Sequence, residues 1–380
     1  MNNNPKLRFK EFNNNWNNLA LKEFCIINPN NNKTLPNTFF YIDLESVING
    51  QIACKLNAIN KDNAPSRAAR ILQVNDLLYQ TVRPYQRNNY LFSKELELPT
   101  VASTGYAQIR TTKNSIKFLY QLIHTDRFVN NVMKRCTGTS YPAINSTGLS
   151  NIIISVPNIE EQEKIAGFLS KVDELINECE GEVKDLEEQK KGLMQKIFSQ
   201  QIRFKDSNNN PYPDWEETKL EEIYNFKYGL YNNNPDNGGQ YPVYGANGVI
   251  GGYTEYNAEN SVIIGHMGAY AGSVLFEKNK HFVTYNGTIT TPKDINKLNS
   301  RYGYFLLLNL NIRKICDGSG QPFLSYDTLN RIKAKVSKNI EEQEKIAKVL
   351  SKMDELIEEK KELLSDWQQF KKGLLQQMFV

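Results

Sequence analysis

From Ile165 onward apolar residues recur at alternating steps of four and three: Ile165, Leu169, Val172, Ile176, Cys179, Val183, Leu186, then Lys190, Leu193 and Ile197. The same register returns at Ile346, Leu350, Met353, Ile357, Lys360, Leu364, Trp367, Lys371, Leu374 and Met378. A seven-residue apolar repeat sustained over several turns predicts two long helices. Each needs a partner, because one narrow stripe cannot be buried alone. Both segments open on the same nine residues, "NIEEQEKIA", at Asn158 and again at Asn339. Asn158 and Asn339 read as helix caps, and the carboxylates that follow suit the positive end of the helix dipole. About 40 residues of helix give a rod of roughly 60 Å, the length of a spacer. A plain helical bundle is the weaker reading, since each helix follows a separate, differently sequenced block. Lys190 and Lys371, at matching seam positions, are either solvated or fix the register; the solvated reading is preferred.

Between the helices the pattern changes. "YPVYGANGVIGGYTEY", "NSVIIGHMGAYAGSVLFE" and "HFVTYNGTITT" are short strand-like runs broken by Gly and Asn, followed by the helix-length "SRYGYFLLLNLNIRKI". The first block follows the same order, with "RILQVNDLLYQTV" and "LFSKELELPTVAST" strand-like and "NSIKFLYQLIHTDRFVNNVMKR" helical. Their edges echo each other: "LRFKEF" and "IRFKDS" open the blocks, Trp16 and Trp215 follow, and "CTGTSYP" and "CDGSGQP" stand near each close. The expected architecture is α+β: two α/β domains (1–157 and 201–338) separated by repeated coiled-coil helices (158–200 and 339–380). A compact domain brings its termini together, so the helices should pack antiparallel in a pseudo-twofold dumbbell.

Charge sharpens this picture. The net charge is +4, but residues 1–157 hold 18 basic against 9 acidic side chains, and 201–338 hold 15 against 13. The helical segments are acidic, with 6 against 11 and 7 against 9. Basic domains on acidic connectors point to a polyanion partner for the domains, weakly so for the second. Apolar runs such as "NIIISV" and "YFLLLN" are far too short for a membrane span, and the Asn-rich Met1–Asn18 segment has no signal-type stretch, so no membrane partner and a cytoplasmic setting are expected. Five cysteines without CxxC spacing read as scattered core thiols.

Catalytic chemistry is not legible. "GHMGAYAG" lacks the lysine and spacing of a phosphate loop, and no Asn-Pro-Pro-aromatic methyltransferase tetrapeptide occurs. His124, His266 and His281 lack metal-ligand spacing, and "PDWEETK" reads as helix entry or turn rather than a nuclease core. The side chains that remain suit nucleic acid: Arg83, Tyr85 and Arg87 in "TVRPYQRNNY"; Gln108 and Arg110; Arg135, Thr139 and Tyr141 in "KRCTGTSYP". The second block offers Tyr231, Tyr244, Asn247, His266, Tyr270, Arg313, Ser319 and Gln321. Arg and Lys neutralise phosphates, while Arg, Gln and Asn pair with base edges. A single Arg or Tyr is more commonly a surface charge or core aromatic.

Two divergent blocks, each closed by "NIEEQEKIA" and a heptad helix, resemble the DNA-specificity subunit of type I restriction-modification enzymes over nearly the whole chain. Ile159–Ala166 and Ile340–Ala347 are similar to proline-less variants of that family's "pPLxEQxxIA" motif, and "YPVYGANGVIGGY" resembles its second-domain sequences. Pro157 precedes one copy and Lys338 the other, which touches only local helix entry. The resemblance implies a non-catalytic, DNA-binding member of a heteromeric restriction system, whose target recognition domains each read half of a bipartite duplex site. It implies two modification subunits carrying S-adenosylmethionine and methylating adenine, docked on the helices, and two restriction subunits using ATP and Mg. No cofactor is expected in this chain. The alternative is a coiled-coil protein-interaction scaffold that never binds DNA; a complex that methylates without restricting is a third case, decided by other chains.

Overall fold

The computed structural model describes residues 4–30, 35–232 with Thr34, 235–316 and 321–380. The repeated segments form single helices, Ile159–Phe198 and Ile340–Met378. The chain divides into two compact units, Met1–Glu180 with Glu362–Val380, and Gly181–Lys361, so each long helix gives one half to each unit.

In the first unit Asp173 is ion-paired with Lys371, and Gln368 Nε2 donates to Glu180 at 3.3 Å, so the helix halves run in opposite directions. In the second, Lys361 pairs with Glu187 at 2.7 Å and Lys190 with Asp354, which again requires antiparallel packing. Of the seam, Ile165, Leu169, Val172, Ile176, Cys179, Val183, Ile197, Ile346, Leu350, Ile357, Leu374 and Met378 are buried; Leu186, Leu193, Met353, Leu364 and Trp367 are half-buried. The preferred reading of the two seam lysines is overturned. Lys190 and Lys371 are 15% and 20% exposed, and each sits on the carboxylate of the opposite helix. A cation inside an apolar stripe sheds water and needs a fixed counter-charge.

The sheets are mainly antiparallel, as in an α+β fold. In the first unit Tyr106–Arg110 lies between Ile26–Ile27 and Asp76–Gln80, with Tyr90–Phe92 beyond; a second sheet orders Ala58–Asn60, Thr38–Ile42, Thr100–Ser103 and Ala68–Ile71. In the second unit Gly287–Pro292 and Ser261–Gly265 are central to one sheet, while Tyr241–Gly245 pairs with Gly248–Tyr253 and Phe282–Val283 in another. The helical stretch expected after Asn114 is two helices, Ile116–Ile123 and Asp126–Met133. Thr125 separates them: its backbone is extended, and its hydroxyl caps the second helix by accepting from Phe128 N.

The repeated nine residues have a shared structural job. Asn158 and Asn339 cap their helices, accepting from the N–H of Glu161 and Glu342 at 3.1 Å. The first glutamate of each motif, Glu160 or Glu341, is exposed in the first turn, whereas the second is buried, with Glu161 and Glu342 each 1% exposed. Glu161 receives Arg8 through two bonds of 2.8 Å and Trp16 Nε1 at 3.2 Å. Glu342 receives Trp215 Nε1 at 2.8 Å, Ser337 Oγ at 2.6 Å and Arg203 Nη2 at 3.4 Å. The neighbouring Gln162 accepts from Ser115 N at 3.0 Å, and Gln343 from Asn299 N at 2.8 Å, which seats helices Ile116–Ile123 and Ser300–Asn309. Phe379 packs on Trp16 and Phe118, and Phe198 on Trp215 and Tyr302, with centroids 5.3–6.4 Å apart. Even a main-chain bond repeats: Leu7 N donates to Gln377 O at 2.9 Å and Ile202 N to Lys196 O at 3.1 Å.

Removing one of these carboxylates strands an arginine and an indole N–H that fold around it. Glu342→Ala is expected to lower stability by about 3 kcal/mol or more. Glu341→Ala, at the exposed position beside it, should stay within about 0.5 kcal/mol of wild type. Urea unfolding of the two variants makes the comparison.

Candidate nucleic-acid interface

Sequence candidates in the first unit separate into two groups. Arg83, Tyr85 and Arg87 lie on a strap around the single turn Pro84–Gln86, and both arginines hold left-handed backbone, with φ of 53° and 57°. That conformation costs a non-glycine residue about 1 kcal/mol or more and persists only where surroundings impose it. Here Arg83 N donates to Pro142 O at 2.8 Å, and Arg87 donates to His124 O at 2.9 Å and pairs with Asp126 at 2.5 Å. The Arg87 bond holds the Asp126 carboxyl below its usual range. The Arg83 guanidinium stacks 4.4 Å from the Tyr141 ring centroid, so the strap and the loop carrying Thr139 and Tyr141 form one patch. Tyr85 and Tyr141 are 49% and 64% exposed, and Thr139 and Arg135 are also exposed, with Arg135 bonded to Asn131 O.

Gln108 and Arg110 do not join that patch. Gln108 is fully buried and donates to Asp76 at 2.7 Å and to Ile71 O at 2.9 Å, while Arg110 grips the same carboxylate at 2.7 and 2.8 Å. These two tie neighbouring strands together.

In the second unit Tyr231, Asn247, Tyr270, Arg313 and Gln321 are exposed. Ser319 lies outside the described residues. Main-chain bonds draw several of the loops together: Tyr285 N to Leu230 O, Leu230 N to Val283 O, and Gly268 N to Pro322 O, with Arg313 Nη2 on Ala269 O at 3.0 Å. His266 is beneath rather than on this surface, 2% exposed, with Nδ1 2.9 Å from Leu324 O and its ring 4.1 Å from Tyr228. Tyr244 is half-buried and donates to Glu277 at 2.8 Å. Burial and that bond push its phenol pKa up. Exposed Leu230, Tyr285 and Phe323 share the loop cluster and were not singled out from the sequence. The turn signal "YNG" at Tyr285, between two strand-like runs, was the available clue.

The family described as "Type I restriction modification DNA specificity domain" matches residues 13–188 and again 212–365. The chain belongs to this family. It is a family of non-catalytic DNA-specificity modules, here with two target recognition domains and a coiled coil. A type I restriction enzyme MjaVIII specificity subunit of Methanocaldococcus jannaschii is 25% identical over 304 residues, 69% of this chain and 70% of that one. The HindI specificity subunit of Haemophilus influenzae is 26% identical over 147 residues, 37% and 31% of the two chains. Among solved structures, a type I restriction-modification S subunit from M. genitalium superposes with a TM-score of 0.66 at 19% identity, over 99% of both chains. A second, from a study of assembly and conformational transition in a type I system, gives 0.55 at 20% over 95% and 96%. These superpositions establish a shared fold.

Among the described residues no group of His, Cys, Asp or Glu is arranged to hold a metal ion, and no helix is long and apolar enough to cross a membrane. The five cysteines are unbridged.

His124 supports the strap and gives it a pH dependence. Its Nδ1 lies 2.6 Å from Tyr120 O and its Nε2 3.3 Å from Arg87 O, and desolvation holds the imidazole down at about 4. The folded state therefore takes up this proton later than the unfolded chain, whose imidazole titrates near 6.5. The contribution is complete above pH 6.5 and is lost as pH falls toward 4. Melting of wild type at about pH 7.5 and about pH 5 should show this loss, and His124→Gln should shrink it.

Proposed function

We propose that this chain is the sequence-reading subunit of a cytoplasmic type I restriction-modification complex. Each target recognition domain reads one half of a bipartite duplex site. The coiled coil sets the spacer and docks two modification subunits, which bring S-adenosylmethionine and methylate adenine. Two restriction subunits add ATP- and Mg-dependent translocation and cleavage. One observation carries the reading: a single DNA-specificity family matches the chain twice, and the two matched stretches share the buried Glu–Trp pair while differing in their exposed loops. A common frame with unlike loops suits two readers of unlike sequences. Within the first reader the Arg83–Tyr141 patch is the proposed base-reading surface, because a stacked, pre-oriented guanidinium can make paired bonds to guanine.

The test is methylated-adenine sequencing of a host expressing this chain with its modification subunit. A bipartite motif is expected. Exchanging residues 201–338 for a related block should replace one half of it; a change in both halves, or an undivided motif, contradicts the reading. One heptad added to both helices should widen the gap by about three base pairs, since seven residues span roughly 10 Å. Arg83→Ala should cost about 1–3 kcal/mol of discrimination at one half-site only. Duplex binding by the complex should weaken steeply with salt; salt-independent binding favours a protein scaffold.

A further inference from the structure

Asp173 and Asp354 hold the same position in the two repeats, and each is a junction of three elements. Asp173 takes the Lys371 ammonium from the second long helix and a 2.7 Å hydrogen bond from Gln121 Nε2 on the domain helix Ile116–Ile123. Asp354 takes the Lys190 ammonium from the first long helix and Arg301 Nη2 at 3.0 Å from the domain helix Ser300–Asn309. Arg301 is itself held by Ser351 Oγ at 2.9 Å and by the faces of Phe276, Tyr304 and Phe305 within 5.2 Å. Relative to the matching helix caps Ser115 and Asn299, Gln121 and Arg301 stand on different turns. The two domains reach the same acid by different routes. Lys and Asp are kept in both copies, whereas nearby seam positions drift from Val172 to Met353, Cys179 to Lys360 and Leu186 to Trp367.

Geometry gives this junction a purpose. The Glu161 and Glu342 clamps and the glutamines beside them hold each domain at the start of a long helix, and apolar packing continues the contact along it. Asp173 and Asp354 lie twelve residues further on, about 18 Å along the axis. A second directional attachment at that distance removes rotation about the first, which apolar contact, being non-directional, does less well. We infer that Asp173 and Asp354 are positioning residues that set how strictly the complex measures the gap between its half-sites. This rests on the bipartite reading proposed above. A displacement of about 3.4 Å at a reader equals one base-pair rise, so modest tilting is enough to relax the spacer.

The experiment uses the complex of this chain with its modification subunit and maps methylated adenines genome-wide. In Asp173→Asn with Lys371→Met, and in Asp354→Asn with Lys190→Met, both half-sites should persist. Methylation at gaps one base pair longer or shorter should rise about tenfold relative to the cognate gap. Unaltered stringency in variants that melt like wild type overturns the inference. Should these variants fold poorly, charge exchange decides. Asp173→Lys with Lys371→Asp restores the pair and offers a donor to Gln121 Oε1, which is buried without a hydrogen-bond partner, so stringency should return to wild type. Asp354→Lys with Lys190→Asp sets a lysine against Arg301 and should stay relaxed; identical behaviour of the two exchanges overturns the inference. A wild-type motif that is not bipartite sinks the functional reading instead, before any variant is compared.

Discussion

A carboxylate buried at the first turn of each long helix is the constraint from which the rest follows. Glu161 and Glu342 are withdrawn from water and each is held by an arginine and an indole N–H from the preceding segment of chain. Such a group is costly unless every partner is in place, so it tolerates one geometry only. The adjacent glutamine then seats a domain helix through a main-chain N–H, and the far end of the other long helix closes an aromatic cluster over the same indole. A short motif thereby determines the start of a helix, the attachment of a domain and the place where the partner helix ends.

This frame leaves the loops free to differ. In the first unit a strap with two left-handed arginines displays Tyr85 beside the Arg83–Tyr141 stack. In the second, a buried histidine packs beneath exposed tyrosine and phenylalanine side chains. Each surface is braced by main-chain bonds between neighbouring loops. Rigid support with variable contents lets two unlike surfaces sit on one architecture without altering the clamp.

Much of the frame was legible in the sequence, and little of the surface was. The heptads, the asparagine caps, the paired tryptophans and the "RFK" openings all mark positions that the structure uses, although pairing of Arg8 and Arg203 with the motif's second glutamate requires contacts across more than a hundred residues. Composition gave no means of telling Arg83, stacked on an exposed tyrosine, from Arg110, locked to Asp76 within a sheet. Gln108 and His266 carry the right chemistry for base reading and are enclosed in protein.

Duplication and periodicity belong to the sequence alone: a seven-residue spacing dictates which faces of a helix are apolar, and a repeated motif dictates that the structure is built twice. Those are local properties, fixed by covalent geometry at 1.5 Å per residue. Which polar groups face outward, and whether Lys190 and Lys371 meet water or a carboxylate, was decided only by tertiary structure. The free energy of a charge depends on what surrounds it in space, and no spacing along the chain encodes that.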